Sequence, residues 1–308
     1  MKIYEYSIDM NVDFSSCVVA LGLFDGVHKG HRALIDAAKR ESEKKNLPLA
    51  VFTFFSESEL PKSSARLYST KIKNELFEKM GVEHVIYADF KKISNVAAES
   101  FVCDILIKKL GARVAVTGLD FRFGKMRKGD TVLLSSLMTK AFGECIIVQD
   151  EEHFGKKIST SLIKELLSKG KTRLASELLG ETYFIEGEIV QGDGRGAKLG
   201  IPTVNISLQK DKNFIKEGVY YSRVIIDKKA YTGITNIGKC PTFEEREVHA
   251  ETFILDFSKT VYGKWARIYL IEYLREERRF ENAEELLLQI KRDSEKVKSI
   301  GEGDFNGR

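Results

Sequence analysis

The run Gly22-Leu23-Phe24-Asp25-Gly26-Val27-His28-Lys29-Gly30-His31 holds two of the chain's five histidines, three residues apart. It follows a short apolar run at 17–21, the length of a buried strand, and precedes 32–40, where apolar residues recur with helical spacing. The pair therefore falls where a strand gives way to a helix N-terminus. Unpaired backbone N–H groups and the positive end of the helix dipole make that place a seat for phosphate. The glycines, Gly22 and Gly30 among them, let phosphates approach the main chain closely. A cap alone calls for Asp or Ser and has no use for two imidazoles. Such groups suit the positioning of a polyphosphate and the neutralisation of charge that develops as phosphorus is transferred. Asp25 reads equally as the orienter of a partner group or as a cap of the turn.

Two further stretches carry chemistry. Gly118-Leu119-Asp120-Phe121-Arg122-Phe123-Gly124, with Gly129-Asp130 behind it, directly follows a predicted strand, at the edge of a sheet where ligands bind. Phe121 and Phe123 offer stacking faces and Arg122 a cation for phosphate; core packing beside a surface cation is the plainer reading. It is not a Walker A loop, because Met126 stands where that motif needs Ser or Thr. The second stretch contains Gly192, Gly194, Arg195, Gly196, Lys198, Gly200, Pro202, Thr203 and Asn205. Its glycines can wrap phosphates with backbone N–H groups. The Thr203 hydroxyl and the Asn205 amide oxygen are hard ligands suited to Mg2+.

The elements that must hold these residues change character along the chain. Strand-like runs at 17–21, 49–55, 84–88, 113–117 and 145–148 alternate with helical patterns near 72–80, 96–110 and 132–142, and helices at 161–168 and 172–179 close the region. This is the pattern of a doubly wound α/β fold with a parallel sheet. After about Gly180 the runs 183–190, 218–226, 231–237, 249–257 and 265–274 are strand-like and separated by turn residues. They predict a small antiparallel β-barrel. A terminal helix follows, with Leu286, Ile290 and Val297 on one face. The expected domains are 1–181 and 182–308.

The 308 residues suffice for two cores, and 43% hydrophobic with 31% charged residues describe an ordinary soluble chain. A net charge of +4, without a long basic stripe, argues against nucleic acid as partner. Cys17, Cys103, Cys145 and Cys240 are widely spaced, which signals neither zinc nor a disulfide framework. With no signal peptide or membrane span legible, the expected location is the cytoplasm.

Phe-Asp-Gly-Val-His-Lys-Gly-His, the loop at 120–130 and the string ending Pro202-Thr203-Val204-Asn205 together resemble the bacterial bifunctional riboflavin kinase/FAD synthetase family. The resemblance covers about 15–295. It implies that the C-terminal barrel phosphorylates riboflavin with ATP to FMN, and that the α/β domain joins FMN to the AMP part of a second ATP, giving FAD and pyrophosphate. It assigns His28 and His31 to the ATP phosphates and Glu251 to the base at the ribityl 5′-hydroxyl. Ser159, Thr160, Ser161 and Lys164 match the family's closing motif. Asn236 falls in a segment that runs in the family's order, and Arg275, Glu277, Phe280, Gln289 and Asp293 match its final strand and helix, which help cover the flavin. The chain departs from the family where Glu57 replaces a usual histidine and Leu162 a usual arginine. Those departures leave open a riboflavin kinase with a slow or inactive adenylyltransferase module. A non-catalytic flavin-binding regulatory protein is the third reading, opposed by intact Thr203, Asn205 and Glu251.

Overall fold

The computed structural model describes residues 1–7, 10–55, 66–192, 203–208, 212, 214–239 and 248–300. Glu57, Gly194, Arg195, Gly196, Lys198, Gly200 and Pro202 lie outside the described residues, as do 241–243 and Cys240. The chain forms two compact units, Met1–Thr160 and Ser161–Arg308.

The first unit is built on a six-stranded sheet of β1 (Lys2–Glu5), β2 (Cys17–Leu21), β3 (Leu49–Phe54), β4 (His84–Ala88), β5 (Ala112–Gly118) and β6 (Glu144–Val148), in the order β1-β4-β3-β2-β5-β6. All its pairings are parallel. Every residue of β2 is buried, as befits a central strand covered on both faces. The edge strand β1 escapes the sequence pattern because its residues are mostly exposed and half of them charged. Helices α1 (Lys29–Lys45), α2 (Thr70–Lys79) and α3 (Thr131–Lys140) lie between strands in the chain. The helix expected over 96–110 is instead a short α-turn, Ala98–Ser100, running into a π-helix, Phe101–Lys109. The Leu110 N–H reaches back five residues to the Ile105 carbonyl at 3.0 Å. The wider turn leaves Phe101, Val102, Ile105 and Leu106 all in the core.

In the second unit six antiparallel strands close a barrel: β9 (Phe184–Val190), β10 (Thr203–Ser207), β11 (Gly218–Ile226), β12 (Lys229–Lys239), β13 (Val248–Ile254) and β14 (Trp265–Arg275). The short hairpin β7 (Glu152–His153) and β8 (Lys156–Lys157) precedes it in the first unit. Strand β10 starts at Thr203, so the expected loop ends in a barrel strand. Its Val204 and Ile206 are buried while Thr203 and Asn205 lie on the other face. Within the barrel Ser222, Thr235 and Thr252 are fully buried and share a hydroxyl chain, at 2.7 and 2.9 Å, that satisfies their polar atoms.

Helices α4 (Thr160–Ser168) and α5 (Thr172–Leu179) run into this unit. Thr172 Oγ1 donates to the Ile271 carbonyl at 3.0 Å and Arg173 pairs with Glu272 at 2.7 Å. The terminal helix α6 (Ala283–Ile300) places Val297 in an apolar cluster with Val219, Tyr221, Ile234 and Ile271.

Candidate functional site

In the first unit β2 and β5 are neighbours, and the strand order runs away from them in both directions. That switch point opens a crevice at the carboxyl ends of parallel strands. The turn after β2 brings the histidines there, and the loop after β5 brings Asp120 to Phe123.

His28 is itself the N-cap of α1. Its Nδ1 accepts the His31 backbone N–H at 3.4 Å, and the two imidazoles stack with centroids 3.7 Å apart. The expectation that imidazoles would not serve as caps is thus corrected: an unprotonated ring nitrogen accepts as an Asn oxygen does. The bond puts the neutral ring's proton on Nε2. Burial pulls His28 down to about 4, with Lys157 adding to the effect and Asp25 opposing it. Burial also holds His31 well below its ordinary value, reinforced by His28, Lys73 and Lys157. Its Nδ1 is shut away without a hydrogen-bond partner among the described residues.

The neighbouring candidates divide between the site and its supports. Phe24, expected to touch ligand, is fully buried, with its ring 5.3 Å from His31 and 5.7 Å from Phe77. It packs behind the histidine instead. A side chain at Gly22 would meet the Phe24 ring at 3.0 Å, and one at Gly30 the His28 ring at 3.3 Å, so these glycines admit the rings. Asp25 is an orienter of chain rather than a helix cap: its Oδ1 accepts the Leu67 N–H at 3.0 Å. Its carbonyl accepts the Thr160 hydroxyl at 2.8 Å, which ties the Ser159-Thr160 segment to the histidine turn. Ser161 is exposed, and within the second unit the Lys164 ammonium lies 5.8 Å from the Phe214 ring centroid.

In the loop after β5, Phe121 and Phe123 stack at 5.5 Å, but only Phe121 keeps partial exposure. Phe123 is buried against Phe101 at 5.4 Å and is a core residue. Gly129 is obligatory beside it, since a Cβ there would sit 2.6 Å from the ring, and Asp130 caps α3 through the Leu133 N–H at 2.9 Å. Arg122 is exposed. Lys157, which motif spacing did not single out, bridges Asp120 and Asp150 at 2.8 Å each. Burial alone would lower its pKa, but these two carboxylates outweigh that and raise it. Its one sequence signal is its place just before Ile158-Ser159-Thr160.

On the barrel, register sets Asn205 opposite Glu251, Glu251 opposite Asn236, Asn236 opposite Val219 and Val219 opposite Arg275. Side chains at paired positions share a face. Thr203 Oγ1 donates to Glu251 Oε1 at 2.7 Å, so the candidate metal ligand and the candidate base touch. A Cβ at Gly192 would meet Asn205 Nδ2 at 2.4 Å; only glycine permits this approach. Asn236 donates to Glu277 Oε1 at 3.0 Å, and its own Oδ1 is buried without a partner among the described residues. Arg275, expected at the ligand, directs Nε and Nη2 to the buried Asp293 at 3.0 and 2.8 Å and Nη1 to the Glu276 carbonyl at 3.0 Å. With those donors committed it clamps α6, and Gln289 completes the clamp by donating to Asp293 at 2.9 Å.

Comparison with known proteins matches both units. A family model described as FAD synthetase matches residues 11–162, and one described as riboflavin kinase matches 179–301. The bifunctional riboflavin kinase/FMN adenylyltransferase of Escherichia coli is 34% identical over 283 residues, 90% of each chain. Its counterpart from Bacillus subtilis is 34% identical over 291 residues, 91% of each chain. The crystal structure of a macrolide-efflux protein from Streptococcus pneumoniae is 29% identical, covers 96% of this chain and 98% of that one, and superposes with a TM-score of 0.86. Among the described residues no helix is long and apolar enough to cross a membrane. On these matches, along nearly its whole length, the chain belongs to the bifunctional riboflavin kinase/FMN adenylyltransferase family.

Proposed function

We propose that the two activities of the family reside in separate units of this chain and on the residues described above. The enzyme phosphorylates riboflavin with ATP to FMN and adenylylates FMN to FAD with release of pyrophosphate. Phosphorylation belongs to the barrel, with Glu251 as the base that accepts the proton of the ribityl 5′-hydroxyl. The observation that carries this is the Thr203–Glu251 hydrogen bond, which orients the carboxylate beside a set of hard oxygen donors. Thr203 Oγ1, its proton directed to Glu251, and Asn205 Oδ1 are the donors for Mg2+; this set suits a cation that takes few protein ligands and completes its shell with phosphate and water. Mg2+ supplies neutralisation of phosphate charge. Gly192 lets the main chain lie close against the Asn205 amide.

Adenylylation belongs to the first unit. FMN phosphate attacks the α-phosphorus of ATP in line, and the protein's part is to position and to offset developing charge. His28, neutral with its proton on Nε2, donates toward the phosphates, and His31 stacks behind it at the start of α1. Phe121 presents a stacking face for the isoalloxazine or adenine ring. Lys157, held between Asp120 and Asp150, orders the same edge. A cytoplasmic setting agrees with free Cys17, Cys103 and Cys145.

One experiment tests the assignment. The purified chain is incubated with riboflavin, ATP and Mg2+, and the flavins are resolved by chromatography. FAD is expected; FMN alone would mean that the first unit does not turn over, and unchanged riboflavin would overturn both assignments. Glu251→Gln should abolish FMN formation yet spare FAD formation from supplied FMN. Replacing His28 and His31 with Ala should do the reverse.

A further inference from the structure

Strand β6 forms one edge of the first unit's sheet, and among the described residues it pairs only with β5. Its other side carries backbone N–H and C=O groups open to a further strand. Sheet edges are ordinarily guarded by charge or proline. The opposite edge, β1, has Lys2 and Glu5, both exposed. Strand β6 has one charge, at Glu144, which Lys45 meets at 2.7 Å, and then runs Cys145-Ile146-Ile147-Val148 with every residue half-buried. Three β-branched residues in a row, without proline or glycine, favour pairing. The two most exposed large apolar side chains among the described residues bracket this edge in the chain: Phe142 before it, 96% exposed, and Phe154 after it, 92% exposed. Phe142 also takes a left-handed φ of 58° in the turn after α3, where glycine is usual. Within one chain its ring stands in water.

We propose that β6 pairs with β6 of a second copy of this chain, antiparallel across a two-fold axis, so that the two sheets join at their edges. Such an interface is self-complementary and closes at a dimer. An antiparallel strand at the edge of a parallel sheet is a common arrangement. Charge selects the direction. Exposed Lys140 precedes the strand, and exposed Glu151 and Glu152 follow it. Lys157 stands opposite Glu152 in the β7–β8 hairpin, but its ammonium is committed to Asp120 and Asp150. Antiparallel pairing therefore sets the basic end of each copy beside the acidic end of the other, twice, whereas parallel pairing would set like charges together. Centred on Ile146, it places neutral residues against one another from Cys145 to Ile147 and brings each Phe142 to the far end of the other copy's strand. The dimer asks nothing of which residues carry either reaction.

The test is sedimentation equilibrium of the full chain across roughly a hundredfold range of concentration, where wild type should pass from monomer to dimer and no further. Phe142→Gly suits the left-handed turn and should weaken the dimer about tenfold or more, with thermal unfolding of the monomer within about 3 °C of wild type. Lys140→Glu and Glu152→Lys, both at exposed positions, should each weaken it, and the two in one chain should restore it, because the pairs re-form with signs exchanged. Amide exchange at 144–148 in wild type should slow as the dimer forms, a reading that needs no variant. A chain that stays monomeric throughout overturns the proposal, whatever other partner the edge accepts. So does a dimer indifferent to these substitutions, assembly beyond the dimer, or failure of the double variant to recover.

Discussion

His28 accepts the backbone N–H of His31 through Nδ1 at 3.4 Å, with the rings stacked 3.7 Å apart. One side chain thus closes the first turn of α1 through Nδ1 and, on the proposed assignment, keeps Nε2 for the ligand. The cap works only while Nδ1 is unprotonated, which couples the fold of the turn to its chemistry.

The first prediction concerns pH. The folded-state pKa of His28 is depressed to about 4 from an ordinary 6.5, because burial penalises the charged ring. Between those values the unfolded chain binds more protons than the native one, so stability rises with pH across that window. The contribution is full above about 6.5 and is lost as pH falls toward 4. His28→Asn keeps an acceptor at the cap without titrating. Urea unfolding of the first unit should then show a flatter stability profile between these limits than wild type. An equally steep profile would assign the acid sensitivity to another group.

The second separates two adjacent rings. Phe123→Ala empties a buried site and should cost about 3–5 kcal/mol of first-unit stability. Phe121→Ala, at a partly exposed ring, should cost clearly less stability and raise KM for FMN or ATP severalfold in FAD synthesis. Steady-state kinetics beside thermal unfolding read both; equal destabilisation would make Phe121 a core residue as well.

The third uses Gly192. A methyl group there would lie 2.4 Å from Asn205 Nδ2, so Gly192→Ala must displace either the loop or the amide. Riboflavin phosphorylation should drop by about 100-fold, the scale of a misplacement near 1 Å, while FAD formation from supplied FMN continues. Undiminished kinase activity would remove Asn205 from the reaction.

The fourth tests the clamp on α6. Asp293 is buried and takes donors from Arg275 and Gln289. Asp293→Leu leaves a guanidinium without its partner and should destabilise the barrel unit by about 3–5 kcal/mol. Arg275→Met with Asp293→Leu should recover much of that loss. A double variant no more stable than the single one would show that packing at this helix, and not the stranded charge, sets the cost.

Much of this architecture is legible along the chain, because the patterns that define it are local. Period-two runs after Gly180 name the barrel strands, alternating short apolar runs and helical stretches name the parallel sheet, and Gly-Asp-rich turns mark where ligands approach. The strand at 203–207 was hidden because it begins inside a glycine-rich segment, and β1 because its residues are mostly exposed. The π-turn at 101–109 has no local signature, since the hydrophobic spacing tolerates either winding.

The candidate site divides in the same way. His28, His31, Thr203, Asn205 and Glu251 are named by residue type and motif, since chemistry demands those atoms whatever surrounds them. That Phe24, Phe123 and Arg275 are supports could be decided only by packing: the motif lists a residue without saying whether its side chain faces ligand, core or helix. Lys73 and Lys157 lie further still from any linear reading. Lysine is a common surface residue, and only parallel pairing of distant strands brings one ammonium beneath the Leu23 and Phe54 carbonyls and the other between Asp120 and Asp150. Covalent identity is written residue by residue, whereas burial, dielectric and the sum of neighbouring charges exist only once segments far apart in the chain have been folded together.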